Sequence, residues 1–159
     1  MTEPLAPGAV IGILGGGQLG RMLSVAAGRL GYRCHIFDPA AHPPAADLAH
    51  ASTAAPWDDT AALAEFARAC AVVTYEFENV PEAALDAVEA HAPVRPSRRA
   101  LGVSQDRLDE KRFLADLGLA TAPFAPVADD GELAAAMAGI GLPAILKTRR
   151  FGYDGKGQA

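Results

Sequence analysis

Two glycine-rich stretches hold the residues best suited to a charged ligand. The first, Gly15-Gly16-Gly17-Gln18-Leu19-Gly20, has the spacing G-x-G-x-x-G. Glycines there permit a tight turn and a close approach of backbone to ligand. A helix beginning at that turn offers free N–H groups and partial positive charge to an anion. Asp38 stands near the place of a ribose-binding acid. Taken alone, the pattern reads as dinucleotide binding, with a plain helix–strand packing turn as the competing account. The second stretch, Gly152-Tyr153-Asp154-Gly155-Lys156-Gly157-Gln158, follows Lys147 and the basic pair Arg149 and Arg150. Such a loop can fold its N–H groups over phosphates while the cations offset their charge. An exposed linker would need none of those cations.

Further candidates lie between the loops. Thr74 to Val80 places Glu76 and Glu78 just past an apolar run. If that run is a strand, Glu76 sits at the sheet edge where α/β proteins bind ligands, and it can accept hydrogen bonds from substrate hydroxyls or an amine. Solvated loop acids are the alternative. Arg107 opens a helix, where a cation opposes the helix dipole; an anionic partner or a solvent-facing side chain would each account for it. His35, His42, His50 and His91 are scattered without ligand spacing, so no residue is assigned to a metal.

The elements that must position these residues follow from apolar periodicity. Ala9–Leu14, Arg33–Phe37 and Ala71–Tyr75 are short apolar runs that read as buried strands, and Asp47–Ala51 reads as a further short strand. Gln18–Leu30 has apolar groups at helical spacing and ends at Gly31. Asp58 or Asp59 can cap a helix through Ala69, and Pro81 suits the first turn of another reaching Ala90. Val94 suits a short edge strand. Alternating strands and helices predict an α/β fold, a Rossmann-like doubly wound parallel sheet, over residues 9–96, after a loose N-terminus at 1–8.

Near Pro96 the pattern changes. Arg98–Val103 reads as a short helix, and Asp106 caps another from Arg107 to Leu117, closed by Gly118. Asp129 with Glu132 forms a capping box for a helix to Ile140. Leu142–Lys147 reads as a strand leading into the second glycine loop, where the chain stops. Residues 97–159 are therefore expected to be the start of a second domain.

Composition narrows the function classes. Half the residues are hydrophobic, 21% are charged and the net charge is −5. That is globular composition without a basic surface, so a nucleic-acid partner is not expected. No run approaches the length of a membrane span, and Met1–Gly8 has no basic region before an apolar stretch and does not read as a signal peptide, so a cytoplasmic protein with no membrane partner is expected. Cys34 and Cys70 lie in apolar runs and read as buried free thiols.

Taken in order, Gly15-Gly-Gly-Gln-Leu-Gly-Arg-Met22, Thr74-Tyr-Glu-Phe-Glu-Asn-Val80, Asp106-Arg-Leu-Asp-Glu-Lys111, and Lys147 with Gly152-Tyr-Asp-Gly-Lys-Gly-Gln158 resemble the N5-carboxyaminoimidazole ribonucleotide synthetase family. These are ATP-grasp ligases of purine biosynthesis, and the likeness runs from Val10 to Gln158. It implies a pre-ATP-grasp domain at 9–96 and the start of an ATP-grasp domain at 97–159, cut in its glycine loop. It also implies ATP and Mg²⁺ as cofactors, with bicarbonate and aminoimidazole ribonucleotide as substrates. Bicarbonate would be phosphorylated to carboxyphosphate, whose carboxyl group passes to the ribonucleotide amine. Arg107, Lys147 and Gly152, Tyr153, Asp154, Gly155, Lys156, Gly157 and Gln158 would meet ATP, with Lys156 also at the reacting group. Gly17, Gln18, Leu19, Glu76, Tyr153 and Asp154 would hold the ribonucleotide. Metal ligands are expected in a C-terminal part beyond this chain, which alone is expected to be inactive; the full-length family is expected to be homodimeric. Phe151 departs from the pattern, since a small residue is common there. Other readings left open are a NAD-dependent oxidoreductase, a formate-using purine ligase, and a non-catalytic nucleotide-binding module.

Overall fold

Alternating strand and helix propensities build the first half of the chain. In the computed structural model, which describes residues 4–152 and 155–159, the chain divides into two units, Met1–Arg98 and Arg99–Ala159. The first unit contains β1 (Val10–Leu14), α1 (Gln18–Arg29), β2 (Arg33–Asp38), β3 (Ala51–Ala54), α2 (Thr60–Arg68), β4 (Val72–Tyr75) and α3 (Glu82–Glu89). The four strands form one parallel sheet in the order β3-β2-β1-β4. Ile13 stands opposite Ile36 on one side and Thr74 on the other. Val94 adds a single parallel bridge to Val73 beyond β4.

This order reverses direction at β1. The chain leaves β1 toward β2 and β3, then returns to place β4 on the other side. Loops at the C-terminal ends of β1 and β4 therefore flank one crevice, the usual ligand position in an open α/β sheet. Ile13, Leu14, Ile36, Phe37, Leu63, Phe66, Val73, Leu85 and Val88 are buried around the sheet. Each such side chain contributes on the order of 1.5–3 kcal/mol through removal from water. Phe37 and Phe66 meet edge to face at 5.5 Å between ring centroids.

The cap residues explain the helix starts. Asp59, rather than Asp58, accepts the Ala62 N–H at α2. Gly31 takes φ +83° after α1 and its N–H donates to the Gly28 carbonyl. The expected strand at Asp47–Ala51 is corrected. A 3-10 turn occupies Ala46–Leu48, and the strand lies at Ala51–Ala54. Pro43, Pro44 and Asp47 favour a turn, and pairing with β2 begins only where Ala51 meets His35.

The second unit holds α4 (Arg98–Gln105, whose first residue belongs to the first unit), α5 (Arg107–Asp116) and α6 (Asp130–Ile140). Asp106 caps α5 by accepting the N–H groups of Leu108 and Asp109. At α6, Asp129 accepts from the Glu132 N–H, and the Glu132 carboxylate accepts from Ala128 N–H, a capping box displaced by one residue. Leu142–Lys147, expected as a strand, does not form one. Among the described residues its pairing is confined to its end, where Leu146 exchanges backbone hydrogen bonds with Ala159 and Lys147 forms an antiparallel bridge with Gln158, and Pro143 has no N–H to extend the ladder.

Candidate functional site

The first glycine loop and Glu76 come together because β1 and β4 are neighbours. Glu76 follows β4 directly, and its N–H donates to the Leu14 carbonyl at 2.9 Å. This bond carries the acid onto the loop that leaves β1. A Cβ built at Gly15 would lie 2.7 Å from Glu76 Oε2, and one at Gly17 would lie 3.1 Å from Oε1. Gly15 also has φ +102°, so any side chain there would be strained as well as crowded. Gly17 caps α1 without a side-chain acceptor, so no capping side chain takes up the first N–H groups of the helix. Gln18 and Leu19 are exposed beside them. A half-buried carboxylate thus sits over a run of amide donors. The pair can bind a ligand with both an acceptor and an anionic group, such as an amine and a phosphate.

Asp38 has a different task from a ribose-binding acid. Its two oxygens accept the N–H groups of Gly16 at 2.8 Å and Ala40 at 2.7 Å. It braces the glycine loop from below, and this removes the main residue support for a dinucleotide reading. Arg21 ties the same region to the loop after β2 through Pro44 O and Asp47.

In the second unit, a cleft of about 170 Å³ is lined by Arg107, Lys147, Thr148, Gly152, Gly155, Lys156, Gly157 and Gln158. Residues on either side of the loop meet because Leu146 and Ala159 exchange both backbone hydrogen bonds at 2.9 Å and the Thr148 N–H donates to Gly157 O at 2.7 Å, while the Arg107 N–H, donating to the Arg149 carbonyl at 2.9 Å, brings Arg107 to the same place. Thr148 was not singled out by its type, yet the loop closes on it. A Cβ at Gly157 would stand 2.4 Å from Thr148 Oγ1, and one at Gly152 would stand 2.9 Å from it. Tyr153 and Asp154, expected to serve both ligands, lie outside the described residues.

Arg149 and Arg150 do not line the cleft. Arg149 pairs with Asp106 at 2.8 Å and Asp109 at 3.7 Å, and Arg150 donates to Gln105 Oε1 at 2.7 Å. Three cations, Arg107, Lys147 and Lys156, therefore face the cleft with glycine amides among them. That combination suits a polyphosphate, whose charge is spread over several oxygens. Among the described residues, no group of three or more His, Cys, Asp or Glu side chains gathers to hold a metal ion, and no helix is long and apolar enough to cross a membrane.

A larger cavity of about 740 Å³ in the same unit is walled by apolar groups of α6, of the Leu142–Leu146 segment and of the stretch before α6, among them Met137, Ile140, Ile145 and Phe124. Arg107 and Lys147 line both spaces. An apolar space beside a cationic one can accept a flat ring next to phosphates.

Known proteins resemble this chain along nearly its whole length. Residues 9–105 match the family model of the ribonucleotide synthetase preATP-grasp domain, and residues 112–159 match the ATP-grasp domain. An N5-carboxyaminoimidazole ribonucleotide synthase of Brucella melitensis is 53% identical over 154 residues, covering 97% of this chain and 42% of the relative. The crystal structure of an ADP complex of N5-carboxyaminoimidazole ribonucleotide synthetase superposes with a TM-score of 0.91 at 40% identity, over 99% of this chain and 42% of that one. The Aspergillus clavatus N5-carboxyaminoimidazole synthase in complex with ADP and 5-aminoimidazole ribonucleotide has a TM-score of 0.80 at 30% identity, over 96% and 40%. The chain thus spans about two fifths of the length of the relatives it matches.

Proposed function

The chain belongs to the N5-carboxyaminoimidazole ribonucleotide synthase family of ATP-grasp ligases, and from that premise we propose that it supplies the ribonucleotide loop and the polyphosphate loop of an ATP-dependent carboxylation. The whole enzyme would join bicarbonate to the exocyclic amine of 5-aminoimidazole ribonucleotide through carboxyphosphate, releasing ADP and phosphate, in cytoplasmic purine biosynthesis. A homodimer is its proposed assembly. The division of labour follows the domains, with residues 9–96 for the ribonucleotide and 97–159 for ATP.

In this reading, Arg107 and Lys147 neutralise the ATP phosphates, and the amides of Gly152, Gly155 and Gly157 close over them beside Gln158. Lys156 stabilises charge on the transferring phosphoryl group, the dominant need of such a transfer. Glu76 accepts from the ribonucleotide amine or hydroxyls, while Gly17, Gln18 and Leu19 offer the α1 N-terminus to its phosphate. Tyr153 and Asp154 are assigned to both ligands by resemblance alone. The described residues do not make a magnesium site, and no step is assigned to that ion. The described residues bring cations and amides to the cleft and gather no acids for a metal ion, and the chain by itself is expected to bind nucleotide without turning it over.

The observation that carries this reading is the convergence of Arg107, Lys147, Lys156 and the loop glycines on one cleft. The test is a complementation assay. The chain is mixed with a separately produced C-terminal portion of the Brucella relative, and ADP release is followed with bicarbonate, with and without aminoimidazole ribonucleotide. Ribonucleotide-dependent release that Lys147→Ala removes supports the assignment. Release without any need for ribonucleotide would count against the substrate, and no release from two folded, associated halves would count against the reaction.

A further inference from the structure

A cleft that must hold a polyphosphate gains affinity when its cations are fixed beforehand, because ordering them at the moment of binding opposes association. Arg107 and Lys147 come from segments 40 residues apart, so something must hold those segments in register. Asp106 and Arg149 are placed to do this. Asp106 Oδ1 accepts the Leu108 N–H at 3.0 Å and the Arg149 Nε–H at 3.0 Å, while Oδ2 faces Arg149 Nη2 at 2.8 Å. The guanidinium therefore meets the carboxylate with its two-pronged face, the strongest geometry for that pair. The Asp106 side chain is only 14% exposed. From the other side, the Arg107 N–H donates to the Arg149 carbonyl at 2.9 Å. Arg150 adds a third tie to Gln105.

The backbone of Arg149 and its side chain thus grip the Asp106–Arg107 peptide from both ends. Thr148, next to Arg149, is held by Gly157, and Leu146 by Ala159. Lys147 lies between these anchors. Resting on the reading that the cleft takes a polyphosphate, we propose that Asp106 and Arg149 are positioning residues, a clasp that fixes Arg107 and Lys147 in one geometry without touching the ligand. Neither residue lines the cleft.

The test is titration of the full 159-residue chain with inorganic tripolyphosphate by calorimetry. Tripolyphosphate reports on the phosphate half of the site alone. Asp106→Ser keeps a cap for α5 but removes the carboxylate fork, and Arg149→Lys keeps the charge but cannot form two parallel bonds. Each is expected to weaken binding by roughly tenfold, as is Arg149→Ala. Asp129→Ala, which uncaps α6 in the same unit, is expected to lower thermal stability without that loss of affinity. The decisive measurement is the double variant Asp106→Ser with Arg149→Ala. If the two residues act as one clasp, the double variant binds no worse than either single one. If Arg149 instead contacts phosphate directly, its removal still weakens binding in the Asp106→Ser background, and the proposal is overturned. Unchanged affinity in every single variant overturns it equally. A wild-type chain that does not bind tripolyphosphate overturns the polyphosphate reading itself, and the clasp with it. Circular dichroism checks that the helices persist, and Arg149→Lys carries the comparison if another variant loses them.

Discussion

Gly157 has little conformational freedom in the cleft of the second unit. It has φ +69°, a region that side chains disfavour, and a methyl there would fall 2.4 Å from Thr148 Oγ1. Gly157→Ala is therefore expected to open the loop and weaken nucleotide binding by at least tenfold, measured by calorimetry with ADP. Adding Thr148→Ala should recover part of the loss, because it removes the collision and leaves the backbone strain of roughly 1–2 kcal/mol. No recovery would show that the collision is not what confines the loop. Asp106 makes a different demand. Hydrogen bonding from Arg149, helped by the α5 amides, holds its carboxyl below the usual aspartate range. Its folded-state value lies below the unfolded one, so its contribution is complete above the ordinary value of about 3.9 and is lost as pH falls through the depressed value. Acid titration followed by α5 amide signals in NMR should show this loss in wild type, and Asp106→Ser should flatten it.

At the scale of elements, the entry to the second glycine loop carries a local conflict. Phe151 has φ +61° and is 71% exposed, so a bulky side chain sits in the left-handed region with little burial in return. Glycine would relieve about 1–2 kcal/mol of strain and add about 0.5–1 kcal/mol of unfolded-chain entropy. Phe151→Gly is expected to stabilise the second unit by a few tenths to about 1 kcal/mol. Thermal unfolding measures this directly, and a lower midpoint would mean that the ring has a contact worth keeping. Two other elements show how neighbours override local pattern. The strand β3 begins at Ala51 because β2 offers its ladder there, and Leu142–Lys147 stays out of strand because only Gly157–Ala159 pairs with its end.

The whole molecule divides its stability unevenly. The sheet of the first unit buries most of the large apolar side chains, whereas α6 has no buried residue and Leu142, Ile145 and Leu146 remain exposed. Amides protected by few apolar contacts exchange through cheap local opening. Native-state hydrogen exchange should therefore find α6 among the first helices to exchange, with β1, β2 and β4 last. Adding ADP should slow exchange in Lys147–Gln158 more than in β1. Equal protection across both units without ligand would contradict the distribution of burial.

The sequence made the two glycine loops, most of the helix starts and the parallel sheet legible. These depend on local rules: glycine where φ is positive or space is short, aspartate at a cap, and apolar periodicity along each element. It also carried the family, because four motifs in one order are specific where each alone is not. Tertiary structure decided which residues meet. Nothing local distinguishes Arg149 from Lys147 as a phosphate ligand; only the fork on Asp106, 43 residues away, turns one from the cleft and leaves the other in it. Asp38 has the spacing of a ribose acid and is instead spent on Gly16 and Ala40. Thr148 gained its role from the loop that closes on it. In each case the deciding term is a contact between distant segments, which composition and spacing cannot encode one residue at a time.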